Sequence, residues 1–404
     1  LSNIPRIKDI EELLHLIRHL GAKAQFIDSN EVLINSSSMK ISRINLLHAS
    51  KIRVSFMLFA PLLNKFKRAE IPNPGGCRIG ARPIDRQINL MKALGINVCY
   101  DHNDGYYKAK LKNGKIQGGT NIFEKSSHTG TEFAILLGCL AKSETVIKNP
   151  SKEPEIDDLI DFLNNSGANI KKINNFIYIK GVSKLISKEK YRIKNDRNEA
   201  VTYAVFSIAT GGDVTIIGID SSNIKSFIEK VKLAGAGVKI YHDRIRFSYQ
   251  GKLNAADIAT SPHPGFMTDW QAPWTILMTQ ASGFSTVHET VFENRFCYVN
   301  ELRKLGAQIE FFQPKVQNFK EFYQFNPLSG GKKLILKQAI KISGKSKLHN
   351  AVLNVSDLRA GASLLIAASI SQGESVICGA SIIDRGYEHI DKKLEQIGAK
   401  IKRI

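Results

Sequence analysis

The chain has 404 residues, 43% of them apolar and 23% charged, the balance of a soluble globular protein with two or three domains. Its longest apolar stretches, 56–63 and 364–370, fall well short of the roughly 20 residues that span a bilayer, so no membrane partner is expected. The net charge of +20 raises nucleic-acid binding, but the lysines are spread along the chain and no RNP-like aromatic stripe, helix-turn-helix or zinc-finger spacing accompanies them.

In chain order, the first predicted helix places Ile10, Leu13, Leu14 and Ile17 at i, i+3, i+4 and i+7, one apolar stripe on one face. It ends at Leu20-Gly21-Ala22. The same succession of helix, small-residue turn and apolar strand returns at Gly95, Gly167, Gly235, Gly306 and Gly398. Ile156, Leu159, Ile160 and Leu163 form the stripe before the third turn, and Ile224, Phe227, Ile228 and Val231 the one before the fourth. Strands are predicted over 168–173, 238–241 and 308–312. Each glycine suits the position just past a helix end, where positive φ costs it little. The glycines are spaced by 74, 72, 68, 71 and 92 residues, and self-similarity at a fixed period is a fold-level signal. The long last interval predicts an inserted surface loop or hairpin between 312 and 350, which includes the basic stretch 332–347. The short interval before Gly21 predicts a first repeat lacking about 50 residues.

The stretch Pro74-Gly75-Gly76-Cys77-Arg78-Ile79-Gly80-Ala81-Arg82-Pro83 differs from everything around it. Three glycines in six residues mean a mobile or tightly turned backbone. Pro83 is expected to open a helix over 84–94, with Arg82 at its N-terminus, where free N–H groups favour an anion. Cys77, beside Arg78 and close to Arg82, is expected to gain thiolate character. The other cysteines, 99, 139, 297 and 378, complete an odd count without a CxxC pair. That pattern predicts a reducing compartment, the cytoplasm, with no leader peptide and no metal site, and small buried hydrophobes as the default role.

This loop resembles the active-site loop of the enolpyruvyl transferase family, in particular of members that act on UDP-N-acetylglucosamine. Further matches follow in order: Arg53 in Lys51-Ile52-Arg53, Glu153-Pro154-Glu155, Asp196-Arg197, and His263-Pro264-Gly265-Phe266-Met267-Thr268-Asp269. They continue with Glu289-Thr290-Val291-Phe292-Glu293-Asn294-Arg295-Phe296, Asp357-Leu358-Arg359-Ala360 and Ile383-Asp384-Arg385-Gly386-Tyr387-Glu388. The resemblance covers essentially the whole chain. It implies an α/β fold: a two-domain inside-out α/β barrel of six repeated βαβαββ-type units, the first incomplete. Domain one would be 1–195, carrying the Cys77 loop, and domain two 196–404. In the family the cleft between the domains closes on the nucleotide sugar.

The reaction so implied moves the enolpyruvyl group of phosphoenolpyruvate to the 3′-hydroxyl of UDP-N-acetylglucosamine and releases phosphate, the first committed step of peptidoglycan precursor synthesis. It needs a base for the hydroxyl, an acid for the methylene carbon, and cations for phosphate and carboxylate, but no cofactor. By resemblance, Asp269 is the base and Cys77 the acid or covalent nucleophile. Arg82, Arg359 and Arg385 grip the oxyanions, and Arg295 and Asp357 support the site. Arg53, Pro83, Ile84, Asp85, Arg86, Lys125, Ser126, Ser127, His128 and Val291 line the nucleotide-sugar pocket.

Some positions depart from the family. Its early Lys-Asn pair has no counterpart upstream of Arg53, which keeps open a non-catalytic or decayed nucleotide-sugar-binding paralogue. Ser127-His128-Thr129 replaces a smaller run, and Met57 stands where Trp is frequent. A synthase acting on shikimate phosphate is the other alternative, disfavoured by the Cys77 loop.

Overall fold

The computed structural model describes residues 1–404 except 78, 188, 326–327, 330–331 and 334–336. Arg78 and parts of the predicted insertion and of the 332–347 basic stretch therefore lie outside the described residues. The chain divides into two compact units, Leu1–Gly76 with Arg82–Lys194, and Cys77–Ala81 with Asn195–Ile404.

Unit 1 holds three small sheets. Lys23–Asp28 pairs with Glu31–Asn35. Tyr106–Leu111 lies antiparallel between Arg68–Pro72 and Ile96–Asp101. The third runs in the order Gly119–Ile122, Thr145–Lys148, Phe176–Lys180, Asn169–Ile173, with the first pair parallel. His128–Gly138 has almost no polar face, and Thr131, Phe133, Ile135 and Leu137 on it are all buried. A helix apolar all round belongs in an interior. It packs against Phe59–Phe66, Asp85–Ala93 and Pro154–Asn165, which turn their apolar stripes to it.

Unit 2 repeats the scheme. Arg197–Ala209, Gln271–Thr279 and Leu358–Ile370 pack on one another and are buried over most of their length. Around them lie the sheet of Asp213–Ile217, Arg244–Ser248 and Gly237–Ile240, the four-stranded sheet containing Gly283–His288 and Ala339–Gly344, and the parallel pair Val352–Asn354 and Val376–Cys378. Both tryptophans of the chain, Trp270 and Trp274, are buried in this unit. Among the described residues no helix is long and apolar enough to cross a membrane.

All six turn glycines have positive φ, from 75° at Gly95 to 102° at Gly398. At five of them the glycine N–H and the next N–H fold back on the helix end, as in Gly167 to Asn164 at 2.9 Å and Ala168 to Leu163 at 2.9 Å. This double bond closes the orphan carbonyls of a helix terminus and aims the chain into the following strand. The strands begin within a residue of expectation, at Asn169, Gly237 and Gln308.

Four expectations need correction. Helix Asp85–Ala93 has Ile84 as its N-cap, so Pro83 lies one residue before the cap and Arg82 before that, at φ 45°. Cys77–Ala81 groups with unit 2, not with the first domain, because the Asn294 N–H donates to the Ile79 carbonyl at 3.1 Å and Gly80 lies so close that a Cβ there would collide with the Glu293 carboxylate. The insertion, expected as a surface loop or hairpin, does contain the antiparallel pair Leu328–Ser329 and Lys332–Lys333, but it is not all surface: Phe319–Phe322 is a short helix, and Tyr323 and Phe325 behind it are buried against each other. Only Cys139 is a buried cysteine. Cys99 and Cys378 are exposed, on the outer faces of sheets, and Cys77 and Cys297 are half-buried.

Candidate active site

Asp269 sits in the 3-10 turn Thr268–Trp270 that leads into Gln271–Thr279. It does not cap that helix; its carboxylate turns to Arg295 Nη2 at 2.7 Å, with Arg359 Nε 3.6 Å from the same oxygen. Arg295 also reaches Asp357 at 3.6 Å. The side chain of Arg295 is 5% exposed and that of Asp357 4%, against 32% for Asp269, so Asp269 is the open end of a buried charge relay. Asp357 caps Leu358–Ile370, accepting from the Arg359 and Ala360 N–H groups at 3.0 and 3.1 Å. That cap fixes where Arg359 leaves the helix.

Arg359 is a mostly buried cation, 3.6 Å from Asp269. Burial works against its charge, but Tyr387, Asp269 and Asp196 outweigh that and hold the guanidinium protonated. Its guanidinium carbon lies 5.2 Å from the Tyr387 ring centre, and the Tyr387 hydroxyl is tied to Thr202 Oγ1 at 2.8 Å. Its Nη1 is buried with no hydrogen-bond partner among the described residues. A buried charged donor left unsatisfied is costly, so such a group marks a place for an anionic ligand. Arg385 ends the 3-10 turn Ala380–Arg385 and donates from Nη1 to Cys77 Sγ at 3.5 Å. The thiol thus has a cation from a segment 308 residues away.

Unit 1 holds two close pairs of cations, Arg53 with Arg82 and Arg86 with Lys125. Arg53, at the start of the 3-10 turn Arg53–Leu58, donates to the Arg82 carbonyl. Burial and the Arg82 charge push Arg53 down to about 10. Gly76 leaves room for both: a Cβ there would come within 3.3 Å of Arg53 Cβ and 3.4 Å of Arg82 Nη1. Burial lowers Arg86, and burial together with Arg86 lowers Lys125, with Glu124 opposing in each case. Cations that depress each other in one place favour a multiply charged anion. Ser127 caps His128–Gly138 by accepting from the Gly130 N–H at 3.2 Å. Asp85 opens its own helix, and Ser126 lies just before the cap residue Ser127.

The sequence profile described as EPSP synthase (3-phosphoshikimate 1-carboxyvinyltransferase) matches residues 1–394. The UDP-N-acetylglucosamine 1-carboxyvinyltransferase of Idiomarina loihiensis is 36% identical over 405 residues, spanning 100% of this chain and 90% of that one. The chain belongs to the enolpyruvyl transferase family. A relative of the same name from Rickettsia felis is also 36% identical, over 100% of this chain and 91% of its own. Among solved structures, the enolpyruvyl transferase NikO from Streptomyces tendae aligns at a TM-score of 0.83 over 99% of this chain and 89% of that one, with 20% identity. EPSP synthase from Acinetobacter baumannii aligns at 0.70 over 98% and 88%, with 17% identity. These structures share the mixed α/β fold.

Sequence reasoning quoted Glu289 and Tyr387 inside motifs but gave them no role, and it took Cys297 for core packing. Cys297 donates to Asp357 Oδ2 at 3.1 Å, and burial followed by Asp357 pushes its thiol up to about 12, which keeps it protonated. A half-buried cysteine two residues after a buried Asp-binding Arg has no local signature; only the fold brings it to Asp357.

His128 is the departure from the enolpyruvyl transferase pattern with a measurable consequence. Its Nε2 is buried 3.4 Å from Glu132 Oε1, a distance for an ion pair rather than a formed hydrogen bond. Burial opposes its charge, but Glu132, Glu153 and Glu155 prevail and push it up from 6.5 to about 9. Because the folded value is raised, the stabilisation is fully present below pH 6.5 and is lost as pH rises through about 9. A proton NMR titration of His128 is expected to show a midpoint near 9; a midpoint at or below 6.5 refutes the acidic enclosure.

Proposed function

We propose that this enolpyruvyl transferase uses phosphoenolpyruvate and UDP-N-acetylglucosamine, transferring the enolpyruvyl group to the sugar 3′-hydroxyl and releasing phosphate for peptidoglycan precursor synthesis. The observation that carries this reading is Asp269, a carboxylate held by Arg295 and Arg359 yet the most exposed member of its cluster. The two curated relatives carrying that activity in their names support the choice of acceptor.

The chemistry follows from those groups. Asp269 takes the hydroxyl proton as the sugar oxygen bonds to the central carbon of phosphoenolpyruvate. A proton added to the methylene carbon completes a tetrahedral ketal, and Cys77 supplies it. Loss of a proton from the new methyl group then expels phosphate and restores the double bond. Arg359 and Arg385 neutralise the oxyanions on which charge builds, with bidentate geometry that lysine lacks. In unit 1, Arg53, Arg82, Arg86 and Lys125 suit the diphosphate of a nucleotide sugar. Pro83–Arg86, Ser126–His128 and, in unit 2, Val291 supply its remaining contacts. We also read the six glycine turns and their sheets as six repeated units, three in each domain, with domains 1–195 and 196–404 apart from Cys77–Ala81, which groups with the second; the repeated helix-turn-strand closures support this.

The test is phosphate release from phosphoenolpyruvate with UDP-N-acetylglucosamine, with shikimate 3-phosphate, and with neither. Release that depends on the nucleotide sugar is expected. Release with shikimate 3-phosphate alone moves the protein to the synthase activity. Nucleotide-sugar binding without release identifies a non-catalytic paralogue.

A further inference from the structure

Glu289 is the most completely enclosed acid near Asp269, with no exposure to solvent. Every hydrogen bond it makes has a destination in the site. Oε1 accepts from the Val291 and Phe292 N–H groups at 2.7 and 3.0 Å. Oε2 accepts from Thr268 Oγ1 at 2.9 Å and from Gln271 Nε2 at 2.7 Å. Thr268 immediately precedes Asp269, and Gln271 follows it by two residues. One oxygen therefore holds the backbone at Val291, and the other holds the turn on both sides of Asp269.

The groups around Glu289 are themselves held by further hydrogen bonds. The Gln271 side chain is oriented by the Tyr298 hydroxyl, which donates to its Oε1 at 2.9 Å and is itself paired with Thr275 Oγ1 at 2.8 Å. The Glu289 backbone is pinned by its N–H to the Gln338 carbonyl at 2.8 Å. Burial is the largest influence on Glu289 and raises its carboxyl above the usual range, while Arg295 and the Val291, Phe292 and Thr268 donors oppose it. Oε1 faces two backbone N–H groups and can only accept, so a proton on Glu289 would have to sit on Oε2 and turn to Thr268 Oγ1.

We infer that Glu289 is a positioning residue for the transfer: it locks the turn carrying Asp269 to the Val291–Phe292 backbone and so sets the approach of the base to the sugar hydroxyl. This rests on the transferase reading of Asp269. A carboxylate is required because it alone offers four acceptor sites at this size. An amide of the same shape would press its NH2 against the Gln271 NH2, or against the two backbone N–H groups. Displacing a reacting group by about 1 Å costs on the order of 100-fold in rate.

The test is Glu289→Gln, with Thr268→Val as the milder variant that removes a single donor to Oε2 while Oε1 keeps both of its own. Rates are normalised to the folded fraction, read from the emission of Trp270 and Trp274. Glu289→Gln is expected to lower kcat by about 10–100-fold, with the KM for phosphoenolpyruvate changed by less than about 3-fold. Thr268→Val is expected to lower kcat in the same direction by a smaller factor, and it carries the test alone if Glu289→Gln does not fold. Amide hydrogen exchange at Val291 and Phe292 is expected to speed up in Glu289→Gln. A folded Glu289→Gln enzyme with kcat within about 2-fold of the parent overturns the proposal. If the parent protein itself releases no phosphate, the transferase reading fails, and the exchange measurement decides the lock. Unchanged exchange at 291 and 292 then overturns it.

Discussion

Asp269→Asn is expected to lower kcat for nucleotide-sugar-dependent phosphate release by about 10²–10⁴-fold, the range for loss of a positioned general base. Asparagine keeps the shape and one acceptor for Arg295, which donates to Asp269 at 2.7 Å, so the fold should persist. It cannot take the hydroxyl proton. Binding of the nucleotide sugar through the unit 1 cations should survive, so the loss should fall on kcat more than on KM. A variant with parental kcat would remove Asp269 from the chemistry and leave it as an ion-pair partner only.

The largest effect on stability is expected at Arg295. Replacing it with methionine leaves Asp357, with a side chain only 4% exposed, without the cation it faces, and takes from Asp269 the closer of its two. Breaking a buried charge network from one side costs about 3–5 kcal/mol. The urea midpoint reported by Trp270 and Trp274 should fall accordingly, since both lie in the same unit as Arg295. Arg295→Lys should recover only part, because an ammonium cannot reach two carboxylates with one planar fork. The cost of Arg295→Met should shrink when Asp269 is already asparagine, the coupling expected of neighbours. Equal cost in both backgrounds would show that the 2.7 Å pair contributes nothing beyond packing.

The two predictions differ in how much of their basis was legible in the chain. Asp269 and Arg295 could be named from motif resemblance, but not that they meet, since 26 residues separate them. The meeting depends on the 3-10 turn at Thr268–Trp270 and on the loop after Gly283–His288. Likewise, Cys77 was legible as a thiol in a glycine-rich loop beside cations, but not that Arg385, 308 residues further on, donates to it. Pro83 read as a helix opener, but the helix waits until Asp85 because Arg82 takes a positive φ and Arg53 binds its carbonyl.

What the sequence alone determined is local: helical stripes, the six glycine turns and the strands after them, and the runs by which the family is known. Those features depend on neighbours within a few residues, so periodicity and turn chemistry suffice to write them. Tertiary structure decided which charges share a burial site. It placed Cys77–Ala81 with unit 2, set Arg53 against Arg82, and put both oxygens of Glu289 on the supports of Asp269 and Val291. A buried charge is least costly where the donors and acceptors around it are matched, and that matching is made by segments far apart in the chain.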